Sequence, residues 1–286
     1  MGDHSLPFLQ AKFQLSYFLV GIIVLVSNVS SSFIQPVFGY ISDKMAMRWI
    51  IPVGCLVAGA GMLARKDFSK GELVNPGKGG QAPVKTAAVL QASEYAGRAW
   101  KAVMLLIGVV TIRSWTQVGI STFLPLFLVN YAQKSHEYSS TMLAVFLTAG
   151  GVGTIVGGPA ADRWGRKTVI MVSMLLTPLL LLLWLKLPGF WSPVFLALAG
   201  AVIVATFSVT VVFCQELLPR NIGMAGGLMM GFAIGMGGVG ATLLGFLADR
   251  WGLLNTLYLT ASLPLAGLFL AAFLPGRAVH KEARLG

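Results

Sequence analysis

Charge is scarce in this sequence: Asp, Glu, Lys and Arg make up 11% of its 286 residues, while 56% are hydrophobic. No soluble domain buries so large an apolar share, so a soluble fold is excluded and an integral membrane protein is expected. Cysteine is scarcer still. Cys55 and Cys214 both fall inside apolar runs, far apart and without partners at metal-site spacing, which excludes a disulfide framework and leaves them as packing residues. His4, His136 and His280 are isolated in loops or near the termini, so neither a metal site nor a nucleophile constellation is expected, and no cofactor. The opening Met1-Gly-Asp-His4 carries no basic region ahead of an apolar core, so no secretory leader is expected. It reads instead as the tail end of a helix. No strand precedes the glycine-rich stretch Gly226–Ala241 and no P-loop lysine accompanies it, which removes phosphate binding of that kind. With no catalytic pair in view, the chain is not read as an enzyme.

What the sequence has in abundance is long apolar runs. Eight are candidate membrane spans: Leu15–Ile41, Trp49–Ala64, Val103–Val129, Thr141–Ala161, Thr168–Leu187, Pro193–Leu218, Ile222–Ala248 and Leu254–Leu274. The fold class expected is therefore an all-α polytopic membrane protein of about eight transmembrane helices. The net charge of +11 is spread over inter-helix loops, one linker and the tail, so it reads as positive-inside topology charge and not as a nucleic-acid surface.

Between two of these runs stands a short charged cluster, Gly158-Pro-Ala-Ala-Asp162-Arg163-Trp-Gly165-Arg166-Lys167. It reads as a tight turn whose glycine, one helical turn before Asp162, lets the helix end pack closely on a neighbour. The carboxylate is expected beside Arg163, Arg166 and Lys167 at the membrane surface, acting as a hinge. Gly245-Phe-Leu-Ala-Asp249-Arg250-Trp-Gly252 repeats it, and Gly39-Tyr-Ile-Ser-Asp43-Lys44 repeats its first half. From Asp162 to Asp249 is 87 residues, an interval that holds three apolar runs. A repeat of three helices alternates in membrane orientation, the inverted-repeat arrangement of secondary transporters.

The complete pattern Gly-x-x-x-Asp-Arg-x-Gly-Arg-Lys at 158–167 resembles the signature loop of the major facilitator superfamily. Gln215-Glu-Leu-Leu-Pro-Arg220, Gly226–Ala241 and Ile112-Arg-Ser-Trp115 further resemble the fosmidomycin-resistance branch of drug efflux proteins. The copy at Gly39–Arg48 departs from the pattern, with Met45, Ala46 and Met47 where the family has a glycine and more basic residues. The resemblance implies alternating access, proton-coupled efflux of a small anionic drug or metabolite, and a multi-pass location in a bacterial inner or plasma membrane. The implied partners are a small-molecule substrate, protons and the bilayer, with no nucleic acid; oligomeric state stays open. The rival reading is a transport-incompetent fragment or a partner subunit. It rests on spacing: Asp43 to Asp162 spans 119 residues, where two repeats and a central loop require about 200. About one three-helix repeat is missing.

The domain reading follows. Residues 1–64 form an incomplete N-terminal half of two spans, 65–99 a basic cytoplasmic linker, 100–275 a complete six-helix C-terminal half and 276–286 a basic cytoplasmic tail. With eight simple crossings, Lys12, the linker, the 163–167 cluster and the tail share the cytoplasmic side, which places the Asp43 loop outside, opposite to its family position, so the first hairpin either inserts upside down or is poorly integrated.

Site candidates are polar groups inside spans. Arg113 lies close to the bilayer midplane, where a charge is costly unless used, and Gln117 and Ser121 follow at i+4 and i+8. This stripe is expected to line a cavity for a phosphonate or carboxylate, the alternative being a structural Arg. Asn28, Ser31 and Gln35 form a similar stripe in the first span, facing either a cavity or another helix. Glu216 is a candidate for proton coupling, with pairing to Arg220 the alternative. The conformational switch is assigned to Gly158, Asp162, Arg163, Gly165, Arg166 and Lys167, with Gly39 and Asp43 in the partial copy. Gly227, Gly231 and Gly235, then Gly237, Ala241 and Gly245, mark a close-packing face. Gly150, Thr154 and Gly158 match it, and the resemblance implies that these two helices pack beside the signature loop.

Overall fold

The computed structural model describes residues 16–32, 86–187, 189–218 and 222–275, and the regular structure among them is all helical. In chain order the elements are α1 (Tyr17–Ser32), α2 (Thr86–Leu126) continued by a π-helical turn (Phe127–Tyr131), α3 (His136–Trp164), α4 (Arg166–Lys186), α5 (Ser192–Leu217), α6 (Ile222–Trp251) and α7 (Leu253–Ala272). Among the described residues six segments are long and apolar enough to cross a membrane: Trp100–Tyr131 and the helices α3 to α7. The fold is all-α and polytopic, as composition requires. Of the eight spans read from the sequence, the first corresponds to the shorter α1, and the second, at 49–64, lies outside the described residues.

Local chemistry sets the helix ends. The Ser135 hydroxyl accepts the Tyr138 N–H at 3.1 Å and caps α3, and a proline stands in the first turn of α5, where a missing N–H costs nothing. Pro125 near the end of α2 removes a donor, and the backbone widens into the π turn directly after it. The Ser139 hydroxyl donates to the carbonyl of Pro125 at 3.2 Å, which ties the start of α3 to this widened segment.

Two seams of close backbone approach hold the bundle. On α3, a Cβ at Gly153 or Gly157 would run into the carbonyl oxygen of Ala201 or Ala205 on α5, and a Cβ at Gly200 into that of Phe146. Residue numbers rise together along this seam, so the two helices are parallel, as two crossings apart demands. On α6, Gly245 lies against the backbone of Tyr17, Gly21 of α1 approaches Ala241, and a Cβ at Gly238 would lie 2.8 Å from Leu25 Cα. There the numbers run in opposite directions, so α1 and α6 are antiparallel. The expectation that the two glycine-rich helices share one seam is thus corrected. The face on α3 is Gly150, Gly153 and Gly157, and its partner is α5, whereas α6 turns its small residues to α1 and, at Gly237 and Gly240, to Val118 and Trp115 of α2. At Gly158 a side chain would meet nothing within 4 Å, because a register offset of one residue brings Gly157 to the contact instead.

The hydrophobic core is layered. Ile120, Phe123, Leu143, Phe146, Trp184 and Leu257 belong to one cluster, and Leu106, Val109, Ile170, Met174, Cys214 and Ala271 to the other. Helix parity then sorts the ends. Asp162 and Glu216 lie on one face; Tyr131, Lys186, Asp249 and Asn255 lie on the opposite one. Because α1 starts beside Asp249, it runs toward the Asp162 face. That reverses the direction given by eight simple crossings, since a direction-specific glycine seam outweighs the bias of one lysine. Taking the face rich in Arg and Lys as cytoplasmic, we expect single cysteines at Ser16 and Gln133, in a chain with Cys55 and Cys214 replaced by alanine, to react with an impermeant maleimide added outside intact cells. A cysteine at Arg163 should react only after permeabilisation. Protection of the Ser16 position would restore the original direction of α1.

Candidate functional site

Among the described residues Arg113 is the largest fully buried side chain, and it is 1% exposed. It stands on α2 between the two apolar layers, with Val109 and Val110 below and Ile120 above, near the middle of the membrane-crossing segment. A guanidinium at this depth costs about 2.5–3.5 kcal/mol on insertion scales unless something compensates it. What surrounds it compensates little. Nη2 reaches Ser114 Oγ at 3.5 Å, the limit of a hydrogen bond, and the Phe207 ring of α5 lies 5.0 Å from Cζ. Among the described residues Nε and Nη1 meet no hydrogen-bond acceptor. Two buried, geometrically fixed donors flanked by an aromatic face suit a planar or tetrahedral oxyanion better than any neutral group.

The other polar groups of the predicted stripe are dispersed. Gln117 and Ser121 are half-buried on the next two turns, and the Ser121 hydroxyl donates to its own helix at Val118 O. Asn28 packs beside Gly238, while the adjacent Gly237 faces Val118 and the Ser114 carbonyl; α6 therefore lies between Asn28 and the helix of Arg113. Gln35, Gly39 and Asp43 lie outside the described residues.

The charged cluster at 158–167 is assembled, though not as the sequence suggested. Gly165 has φ +90°, a left-handed conformation open to glycine, and its N–H closes α3 on Ala161 O at 2.9 Å. This sharp turn sets Arg166 between two carboxylates: Asp162 at 3.7 Å, and Glu216 from the end of α5 in a close ion pair. Lys167, expected beside Asp162, instead donates to the carbonyl oxygens of Ala272 and Leu274 at 2.7 and 2.6 Å, capping the C-terminal end of α7. Arg163 is exposed on the same turn. One turn thus fastens the ends of α3, α5 and α7. Reading Glu216 against Arg220 alone missed this; the available signal was parity, since α3 and α5 run the same way and deliver their terminal charges to one face.

The second copy builds the same turn on the other face. Gly252 has φ +85° and closes α6 on Ala248 O at 3.0 Å. Leu253 and Leu254 replace the two cations, and Arg250 lies over the Phe246 ring at 4.5 Å. Asp249 accepts the backbone N–H of Tyr17 at 2.8 Å and of Phe18 at 2.9 Å, at the N-terminus of α1. A cavity of about 410 Å³ opens beside this contact, lined by Tyr17, Asn130, Tyr131, Trp251 and Asn255 among others, and is remote from Arg113.

Comparison with known proteins gives the family. The family model described as Major Facilitator Superfamily matches residues 92–285. The chain is 28% identical over 362 positions to the fosmidomycin resistance protein of Escherichia coli (strain K12), covering 96% of this chain and 88% of that one. It is 29% identical over 361 positions to the uncharacterized MFS-type transporter YfnC of Bacillus subtilis (strain 168), covering 94% and 87%. In each case the alignment is longer than the matched part of this chain, about 275 and about 269 residues, so about 90 positions of each relative face gaps here.

Proposed function

The chain belongs to the Major Facilitator Superfamily, whose members are membrane transporters and not enzymes, and from that premise we propose that it moves a small anionic drug or metabolite, fosmidomycin-like, out of the cell against an inward proton flow. It is a multi-pass protein of a bacterial membrane. The observation that carries the substrate class is the pair of fully buried Arg113 nitrogens at mid-depth that meet no acceptor among the described residues. Such a charge inside a span is functional by default, and an arriving oxyanion supplies acceptors that the described residues do not. Gln117 and Ser121 extend the donor surface along α2. The first span contributes Asn28, from the far side of α6, and Gln35, which lies outside the described residues, and both are assigned to the substrate path as the halves rock.

The 158–167 turn is the switch on the cytoplasmic face. Proton coupling falls to Glu216: its carboxylate holds Arg166, and protonation weakens that pair, loosening the end of α5 from the turn between α3 and α4. The domain reading stays with this proposal: a six-helix half over 100–275 and a shortened N-terminal half, joined by a 65–99 linker whose last part, from Thr86, is continuous with α2.

The gap of about 90 positions favours a second reading, a partner subunit without transport of its own, because a site between halves needs both. Drug accumulation separates the two. In an efflux-deficient bacterium expressing this chain, intracellular fosmidomycin should fall and recover when a protonophore is added. Unchanged accumulation with the protein present in the membrane selects the subunit reading.

A further inference from the structure

The two copies of the signature turn sit on opposite membrane faces, and their carboxylates have different partners. Asp162 faces a cation in its own turn, Arg166. Asp249 has no such cation, since Leu253 and Leu254 occupy the positions after its glycine, and it reaches across to the N-terminus of α1. Both of its hydrogen bonds run to backbone N–H groups that open a helix, where the helix dipole favours an anion. They are solvent-exposed, so water replaces them at little cost when they break. Below them the contact between α1 and α6 is backbone against backbone at Tyr17–Gly245, Gly21–Ala241 and Leu25–Gly238. At the outer end of this seam the Phe18 and Phe246 rings meet edge to face with centroids 6.2 Å apart, and both are exposed, so parting the helix ends there breaks one shallow aromatic contact.

We propose that Asp249 and the N-terminus of α1 form the releasable latch of the outer gate, with the 410 Å³ cavity at Tyr17, Asn130, Tyr131 and Trp251 as its vestibule. The latch is the outer counterpart of the cytoplasmic turn, built by exchanging an ion pair for a helix cap. This rests on the reading of the chain as an alternating-access carrier, but its test requires no substrate and no transport.

The test uses the full chain in nanodiscs, with Cys55 and Cys214 replaced by alanine, and reads two signals. The first is the rate at which an impermeant maleimide labels a cysteine placed at Asn130. Asp249→Ala should raise this rate about 2- to 30-fold, the range of equilibrium shift that loss of a helix cap produces. Asp249→Asn keeps one acceptor and nearly the same volume, so it should give a smaller rise and covers the case in which the alanine variant fails to fold. The second signal is the spin-label distance between Ser16 and Lys186 on the outer face. A second discrete distance that gains population in the variants marks gate opening. A single broad distribution marks a static cap whose loss merely frees α1, and it overturns the proposal; unchanged labelling in both variants also overturns it. If fosmidomycin accumulation is unaffected by the chain while both signals move, the latch stands and the transport reading falls.

Discussion

Gly153→Leu should prevent the bundle from assembling, leaving little monodisperse protein after solubilisation. A Cβ at this position collides with the Ala201 carbonyl oxygen, and a backbone atom cannot swing aside as a side-chain tip can. Overfilling a packed interior costs about 1–3 kcal/mol even where side chains adjust. Here the alternative is to separate α3 from α5 along a seam that also includes Gly150, Gly157 and Gly200, so a loss above about 4 kcal/mol is expected, the range reserved for a few disruptive mechanisms. Gly153→Ala should already lower the melting temperature. Gly151→Leu supplies the control: it sits two residues away on the same helix, with nothing within 4 Å of its Cβ. Fluorescence-detected size exclusion and thermal melting of the three variants decide the matter. Equal behaviour of the Gly151→Leu and Gly153→Leu chains would show that the seam does not set the helix spacing.

Arg113→Gln should abolish anion binding while leaving insertion intact. It removes the charge and most of the donor fork, and hydrogen bonds to charged groups contribute about 1.5–3 kcal/mol each, so affinity should fall roughly 10- to 150-fold per bond lost. Arg113→Lys keeps the charge without the planar geometry and should fall between wild type and Gln. Ligand-induced thermal stabilisation of purified protein reads this order directly. Removing a centre-of-bilayer charge eases insertion, so the unliganded melting point should hold or rise. A Gln variant that melts much earlier and still binds normally would make Arg113 a structural residue whose acceptors lie within the protein.

Much of this architecture was legible because the lipid environment simplifies the code. Uninterrupted apolar runs gave the helices α3 to α7, and the repeated turn gave Gly165 and Gly252, which adopt nearly the same backbone geometry. The place of Arg113 near the middle of its span followed from counting along one helix, whereas its full burial, where a cavity lining was expected, did not. Contacts between helices were less legible. The glycines of α3 looked equally able to pack on α6, and nothing local says that α5 is their partner or that Gly157, and not Gly158, makes the approach. Lys167 was misread for a related reason. Sequence proximity placed it near Asp162, but its long stem reaches two carbonyls at the end of α7, more than a hundred residues away along the chain. The direction of α1 stayed open in the sequence because counting charges weighs loops and ignores seams.

The parallel seam between α3 and α5 also constrains biogenesis. At synthesis rates of roughly 5–20 residues per second, the glycine face of α3 leaves the ribosome several seconds before the end of α5 does, since about fifty residues separate Trp164 from Leu217. Through that interval α3 waits in or beside the translocon with a groove of bare backbone and no partner. A nascent chain stalled before Ser192 therefore presents a recognisable lesion to a membrane quality-control protease, and chains stalled beyond Leu217 should be markedly longer-lived.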